Sequence, residues 1–158
     1  MRHLHLVALL LGLAATGPAY AQTCSELTSI IQSASDRFAQ EVRDEKFNAA
    51  TSDYRIEKVM SGAELCTVED DRNTLSCDWP PMTQAEAERR NGVAIDMVRS
   101  CLPPQTKTKT FNHQRIIGRK LVFYETHENV EVSVDIFQHV PRSGAPAYWS
   151  ISIQVERQ

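Results

Sequence analysis

The C-terminal part of the chain alternates apolar and polar residues in three runs. The apolar positions that share a face are Leu121 and Phe123 in the first run, Val130, Val132, Val134 and Ile136 in the second, and Trp149, Ile151, Ile153 and Val155 in the third. A period of two residues is typical of strands that bury one face. Short polar segments at 127–129 and 141–146 separate the runs, so the pattern predicts an antiparallel three-stranded meander.

The turns also predict the register of this meander. The shortest turns place Phe123 opposite Val132 and Ile136 opposite Ile151. The apolar faces of all three strands then agree, as a half-buried sheet requires. A shift of one residue would turn every apolar side chain to the other face, so the pattern and the turns support the same register.

Two other segments follow the helical period. The first, predicted from residue 24 to about residue 47, has an apolar stripe formed by Leu27, Ile31, Ala34, Phe38 and Val42. The second begins after Thr83, which can form a capping box with Glu86. It ends near Leu102, because two prolines follow at once. Each helix therefore has one side that must pack against the rest of the protein.

Three short strands are predicted between the helices. Residues 54–60 and 63–69 form the first two, and the third returns after the polar tip at 70–73. The order is then helix, three strands, helix, three strands. Helices with one apolar stripe cover a sheet with one apolar face, which predicts a two-layer α+β domain with an antiparallel sheet packed against two helices.

The four cysteines predict two disulfides. Folding the central hairpin about its polar tip places Cys66 opposite Cys77, at a separation that a disulfide can bridge. Cys24 and Cys101 lie on the apolar stripes of the two helices and form the second predicted pair. Zinc is the competing interpretation, but the chain has no Cys-x-x-Cys pair.

Residues 1–21 have the order of a secretory signal peptide. Arg2 precedes an apolar run at 6–15 and small residues at 19 and 21. The run is shorter than the roughly 20 residues that a bilayer span needs. Cleavage after Ala21 predicts a single exported α+β domain, residues 22–158, in the periplasm or the extracellular medium. An uncleaved anchor helix is the alternative.

The charge of the chain argues against two classes of partner. The formal net charge is −3, and removal of residues 1–21 changes it to −4. A mildly acidic chain without a block of Lys and Arg is not typical of proteins that bind nucleic acid or anionic membranes. The predicted partner is another envelope or secreted protein, with no membrane insertion after signal cleavage.

The sequence contains none of the familiar catalytic or metal-binding motifs. It has no G-x-S-x-G and no H-E-x-x-H, and we predict no catalytic residue, metal ligand or cofactor. His127 and His139 lie at opposite ends of one predicted strand, and His113 has the parity of the other face. The acidic tip at 69–71 lacks the spacing of a calcium loop and is interpreted as a solvated turn.

The polar side of the meander carries more aromatic residues than a solvated surface needs. Alternation places Tyr124, Phe137, His139 and Tyr148 there among serines and charged residues. Aromatic rings among polar groups are typical of protein interfaces, so these four residues form the predicted partner-binding surface. The alternative is that a helix or loops of the chain itself cover this face.

These features predict a small periplasmic or secreted binding protein, such as an inhibitor, an immunity-type protein or an envelope accessory protein. Two other functions stay open, so enzymatic activity is not decided. One is a hydrolase that acts on an envelope substrate through carboxylates and a histidine at scattered positions. The other is a carrier that holds a small apolar ligand between sheet and helices. The sequence predicts no oligomeric state.

Overall fold

The structure is a computed structural model that describes residues 17–43, 46–57, 59–113, 117–125 and 129–158. The side chains of residues 17–22, 124 and 125 are outside this description. Residues 1–16 of the predicted signal peptide and residues 127 and 128 of the predicted turn at 127–129 also lie outside the described residues.

Two helices and one antiparallel sheet of eight strands make up the described part of the chain. The helices are α1, Gly17–Ser33, and α2, Gln84–Cys101. The strands are β1 Lys46–Asn48, β2 Asp53–Ile56, β3 Leu65–Glu69, β4 Thr74–Asp78, β5 Lys107–Asn112, β6 Gly118–Glu125, β7 Val130–His139 and β8 Tyr148–Arg157. The predicted α+β class is confirmed. Each half has one strand more than predicted. The additional strands, β1 and β5, were not predicted because they are largely exposed and lack a buried apolar alternation.

The sheet has the strand order β1-β2-β3-β4-β8-β7-β6-β5. Each half of the chain is one helix followed by four strands. The strand order is symmetric about the centre of the sheet, with the first strand of each half, β1 and β5, at the two edges. β4 and β8, the last strand of each half, pair at the centre. The fold is therefore a topological duplication, although the sequence shows no internal repeat.

Both predicted disulfides are confirmed. Cys66 and Cys77 lie directly opposite each other on β3 and β4, with their Cα atoms 4.1 Å apart. Cys24 on α1 is bonded to Cys101 at the end of α2, with a Cα separation of 5.2 Å. The first bond fastens a hairpin within the sheet, and the second fastens one helix to the other.

The first helix ends well before the position predicted from its apolar stripe. α1 stops at Ser33, and a 3₁₀ turn, Ala34–Asp36, follows. Arg37 and Phe38 then adopt left-handed backbone conformations, with φ of 61° and 55°. The N–H of Phe38 donates to the carbonyl of Ser33 at 2.9 Å, and the N–H of Arg37 donates to that of Ala34 at 3.2 Å. These are the two bonds of a Schellman motif, in which glycine is the usual left-handed residue. Because no glycine is present here, the local residue types did not predict this helix end.

α2 begins as predicted, after Thr83. The side-chain oxygen of Thr83 accepts a hydrogen bond from the N–H of Glu86 at 3.3 Å. The carboxylate of Glu86 turns instead toward the guanidinium groups of Arg89 and Arg90. These hydrogen bonds, first from Arg89 and then from Arg90, lower the pKa of Glu86 to about 2.

The apolar core lies between the two helices and one face of the sheet. It includes Leu27, Ile30 and Phe38 from the N-terminal part, Val98 from α2, and Phe123, Val132, Ile136 and Ile151 from the sheet. Phe123 lies opposite Val132, and Ile136 lies opposite Ile151, as predicted.

In the described ranges, no helix combines the length and apolarity that a membrane crossing requires.

Candidate functional site

We call the side of the sheet that faces away from the helices the open face. The buried residues of both helices share one core with the other side of the sheet, so neither described helix lies on the open face. Its side chains form rows across the strands. One complete row runs through Leu65, Asp78, Ser152, Asp135, Lys120 and Phe111. Two carboxylates therefore lie near the middle of an eight-stranded sheet.

The middle of the open face is buried. Ser133, Asp135 and Ser152 are only 2%, 3% and 1% exposed. Lys120 on β6 and Gln154 on β8 meet above β7, where Lys120 Nζ lies 3.2 Å from Gln154 Oε1. Because this hydrogen bond crosses the strand that separates its partners, it covers the shorter side chains of β7. Long side chains from neighbouring strands, and neither of the two described helices, shield the middle of the face.

Asp135 is a buried carboxylate with polar neighbours. Its Oδ1 lies 3.3 Å from His113 Nε2, and its Oδ2 accepts a hydrogen bond from the Ser133 hydroxyl at 3.4 Å. Burial raises the pKa of Asp135, while the charges of Lys120 and His113 oppose this shift. His113 thus lies on the same face as Asp135, and the predicted parity was wrong. His113 follows β5, a strand that the apolar pattern did not predict.

Asp135→Asn is expected to change the pH dependence of stability. Burial raises the folded-state pKa of Asp135 above its usual value of 3.8. The favourable contribution of this raised pKa to folding stability is therefore complete below about pH 3.8 and is lost as the pH rises through the folded-state pKa. Asparagine cannot ionise, so the stability of the variant relative to the native protein should rise across this window and then level off. The rise should be about 1.4 kcal/mol for each unit by which the pKa is raised.

Urea unfolding at a series of pH values, from acidic to neutral, measures this difference. Asp96→Asn, at an exposed position of α2, controls for the change in net charge. A relative stability of Asp135→Asn that falls with increasing pH would show that the attraction of Lys120 and His113 outweighs burial.

Four rings form a continuous row at one end of the open face. We call His113, Phe137, His139 and Tyr148 the aromatic cluster. Ring centroids are 6.2 Å apart for His113 and Phe137 and 4.6 Å apart for Phe137 and His139. His139 stacks on Tyr148 at 4.6 Å with the ring planes 19° apart. Gly118 lies opposite Phe137, and a Cβ at Gly118 would stand 2.7 Å from the Cβ of Phe137. β6 can therefore approach the cluster this closely only with glycine at that position.

A cleft of about 450 Å³ opens beside the aromatic cluster. Phe137, His139 and Tyr148, three of the four predicted partner-binding residues, line it and are half-buried. Tyr124 is on the same face, opposite Glu131, but it lies about 25 Å away along the strand direction. The side chain of Tyr124 is outside the described residues. The structure therefore brings three of the predicted residues together and leaves the fourth apart.

Asp78, His139 and Ser150 lie together in this cleft. His139 Nε2 is 2.9 Å from Ser150 Oγ. Burial lowers the pKa of His139, against the pull of the Asp78 carboxylate. Burial also raises the pKa of Asp78, against a hydrogen bond from Ser152 and the influence of His139. The same burial thus disfavours the charged form of both groups.

Three charged cleft residues, Asp78, Glu64 and Arg55, were not among the predicted site residues. Asp78 directly follows Cys77, so strand alternation places it on the face opposite the disulfide, and this signal was present in the sequence. Arg55 also lies on the open face, opposite Thr67 on β3. The proximity of Asp78 to His139 was not predictable from the sequence, because it depends on the pairing of β4 with β8.

The cleft contains the residue types of a serine nucleophile, its base and a supporting carboxylate. Ser150, however, lies within β8 and is only 7% exposed. Acyl transfer also needs N–H donors aimed at the developing oxyanion, and the backbone of β8 pairs with β7 at this position. In the part of the chain that the structure describes, no group of three or more His, Cys, Asp and Glu side chains is arranged to hold a metal ion.

A second cavity, of about 370 Å³, lies between α2 and β8. Trp79, Met97 and Ile153 contribute to its apolar lining, and Arg89 and Arg90 also border it. The carrier hypothesis places a small apolar ligand between helix and sheet, which is where this cavity lies. Both arginines contact the single carboxylate of Glu86 on their own helix, so one positive charge is left in excess at the border of the cavity.

The fold and the cleft define a small α+β protein with two disulfides and one open sheet face. No protein-family model, no curated protein and no solved structure matches the chain. Its function is therefore inferred from the side chains of the open face.

Proposed function

We propose that this chain is a small exported binding protein that contacts another envelope or secreted protein through the aromatic end of its open face. The observation that carries the proposal is the aromatic cluster, where Phe137, His139 and Tyr148 are half-buried around a cleft. Neither described helix covers this face. Aromatic side chains rimmed by polar groups are typical of the centres of protein interfaces. An inhibitor, an immunity-type protein or an envelope accessory protein would all use such a contact.

The compartment in this proposal has two supports. The order of charged, apolar and small residues in positions 1–21 is that of a cleavable signal peptide. The described cysteines are all paired in disulfides, and disulfides persist in oxidising compartments. Together they favour the periplasm or the extracellular medium as the place where the partner is met.

Tyr148→Ala should weaken partner binding by about 30-fold or more, which corresponds to about 2 kcal/mol for the loss of a central aromatic residue. Affinity capture from envelope extract of the producing cells identifies a stoichiometric partner, and calorimetry with the purified partner measures the affinity. Phe47→Ala is the matched control, because this ring is 50% exposed on β1 and lies outside the cleft. The absence of any stoichiometric partner, or equal effects of the two substitutions, would count against the proposal.

A hydrolase that acts on an envelope substrate is the second candidate. One observation favours it, the 2.9 Å separation of His139 Nε2 and Ser150 Oγ beside Asp78. If the site is catalytic, a screen of peptidoglycan fragments, esters and peptides should show turnover that falls by at least about 100-fold in His139→Ala and in Ser150→Ala. Turnover that survives in Ser150→Ala would remove this serine from the mechanism.

A further inference from the structure

The cleft beside the aromatic cluster combines carboxylates with aromatic walls. Asp78 and Glu64 are its acidic residues, and Arg55 is its guanidinium group. His139 is pushed toward its neutral form by burial, which lowers its pKa. With two carboxylates against one guanidinium, the ionised cleft has an excess of negative charge beside Phe137 and Tyr148. This combination suits a cation that also stacks on rings.

We propose that the cleft binds the side chain of an arginine that the partner protein presents. This inference rests on the proposed function and names the chemical group that the open face recognises. A guanidinium is planar and weakly hydrated, stacks on aromatic rings and donates two parallel hydrogen bonds to a carboxylate. Asp78 supplies the carboxylate, and Tyr148 and Phe137 supply the rings.

In the free protein the burial of Asp78 is only partly compensated, because its pKa stays raised. Desolvation raises the pKa of this carboxyl, and the opposing contributions come from the Ser152 hydroxyl and from His139. An arginine side chain would place a permanent positive charge beside Asp78, where the imidazole is pushed toward neutrality. Lysine is a weaker fit, because its ammonium is strongly hydrated and has no planar surface to stack.

Substitution of Arg55 should change the binding of an arginine side chain in the direction opposite to substitution of Asp78. Arg55 is exposed, lies on β2 and lines the cleft, so its charge opposes the entry of a second guanidinium. Arg55→Gln should therefore tighten binding of an arginine side chain, while Asp78→Asn should weaken it. A general loss of structure cannot produce changes of opposite sign at two residues of one cleft.

The experiment is an NMR titration of the disulfide-bonded protein with capped tripeptides, acetyl-Gly-Arg-Gly-amide and the same peptide with citrulline in place of arginine. Citrulline keeps the planar shape and loses the charge. The arginine peptide should bind at least about tenfold more tightly than the citrulline peptide, and Asp78→Asn should remove this advantage. Asp96→Asn, an equal change of charge at an exposed position of α2, should leave both affinities unchanged.

Equal affinity for the arginine and citrulline peptides overturns the inference, as does a lysine peptide that binds as tightly as the arginine peptide. The peptide comparison uses the native protein, so it holds even if Asp78→Asn fails to fold. The partner complex separates the two proposals. If Tyr148→Ala abolishes the complex and Asp78→Asn has no effect on it, the proposed binding face stands and the arginine proposal is wrong. If the complex survives Tyr148→Ala, the proposed binding face itself is wrong.

Discussion

Replacement of Cys24 and Cys101 together by alanine should lower the free energy of unfolding by about 4.5 kcal/mol. These cysteines are 77 positions apart in sequence, so their bond closes a long loop in the unfolded chain, and the entropy of loop closure grows with the logarithm of loop length. A loss of this size is a large part of the stability of an ordinary domain, roughly 5–15 kcal/mol. Urea unfolding of the native protein and the double variant, without reductant, measures the difference.

The second disulfide is the matched control. Cys66 and Cys77 are 11 positions apart, and their replacement by alanine should cost only about 3 kcal/mol. This variant should stay folded, because Val68 still lies opposite Leu75 and β4 still pairs with β8. A larger loss from the short loop than from the long one would contradict the explanation by loop entropy.

Phe38→Ala should destabilise the protein by about 3–5 kcal/mol, the cost of removing a fully buried phenylalanine side chain. Phe38 has no exposed surface and belongs to the core under the sheet. It also has a left-handed backbone, with φ of 55°. Because alanine keeps the Cβ of phenylalanine, the backbone strain is common to both proteins, and the measured loss reports the cavity. Thermal and urea unfolding should agree on the loss.

Phe47→Ala is the control for this substitution. Phe47 is 50% exposed, and its ring lies 5.3 Å from that of Tyr54, so its removal should cost about 1 kcal/mol or less. Similar losses at the two positions would show that Phe38 does not anchor the end of α1 in the core. A loss at Phe38 below about 1 kcal/mol would have the same meaning.

Part of the candidate site was predictable from strand alternation. Phe137, His139 and Tyr148 share a face because a two-residue period requires only that the strands be recognised and paired in register. His113 was assigned to the wrong face, because β5 has no buried apolar positions and was not recognised as a strand. Asp78 could be assigned to its face but not to the cleft, because its approach to His139 requires that β4 and β8 be neighbours.

The end of the first helix at Arg37 shows a different limit of prediction from the sequence. The apolar stripe correctly predicted that Phe38 is buried, since burial follows from the spacing of apolar residues. It did not predict that the helix stops before Phe38, because a left-handed arginine carries no local signal. Tertiary packing of Phe38 in the core supports a conformation that the residue types alone do not favour.

The sequence by itself determined the α+β class, the registers of the central hairpin and the C-terminal meander, and both disulfide pairs. These features follow from the periodic spacing of apolar residues, from short turns and from a count of four cysteines. The tertiary structure alone decided the strand order, the duplicated topology, the shielded middle of the open face and the cleft. Those features depend on which distant strands become neighbours and on the lengths of side chains that meet across them. Lys120 and Gln154, for example, meet above β7 only because β6 and β8 flank that strand, and local patterns carry no information about such contacts.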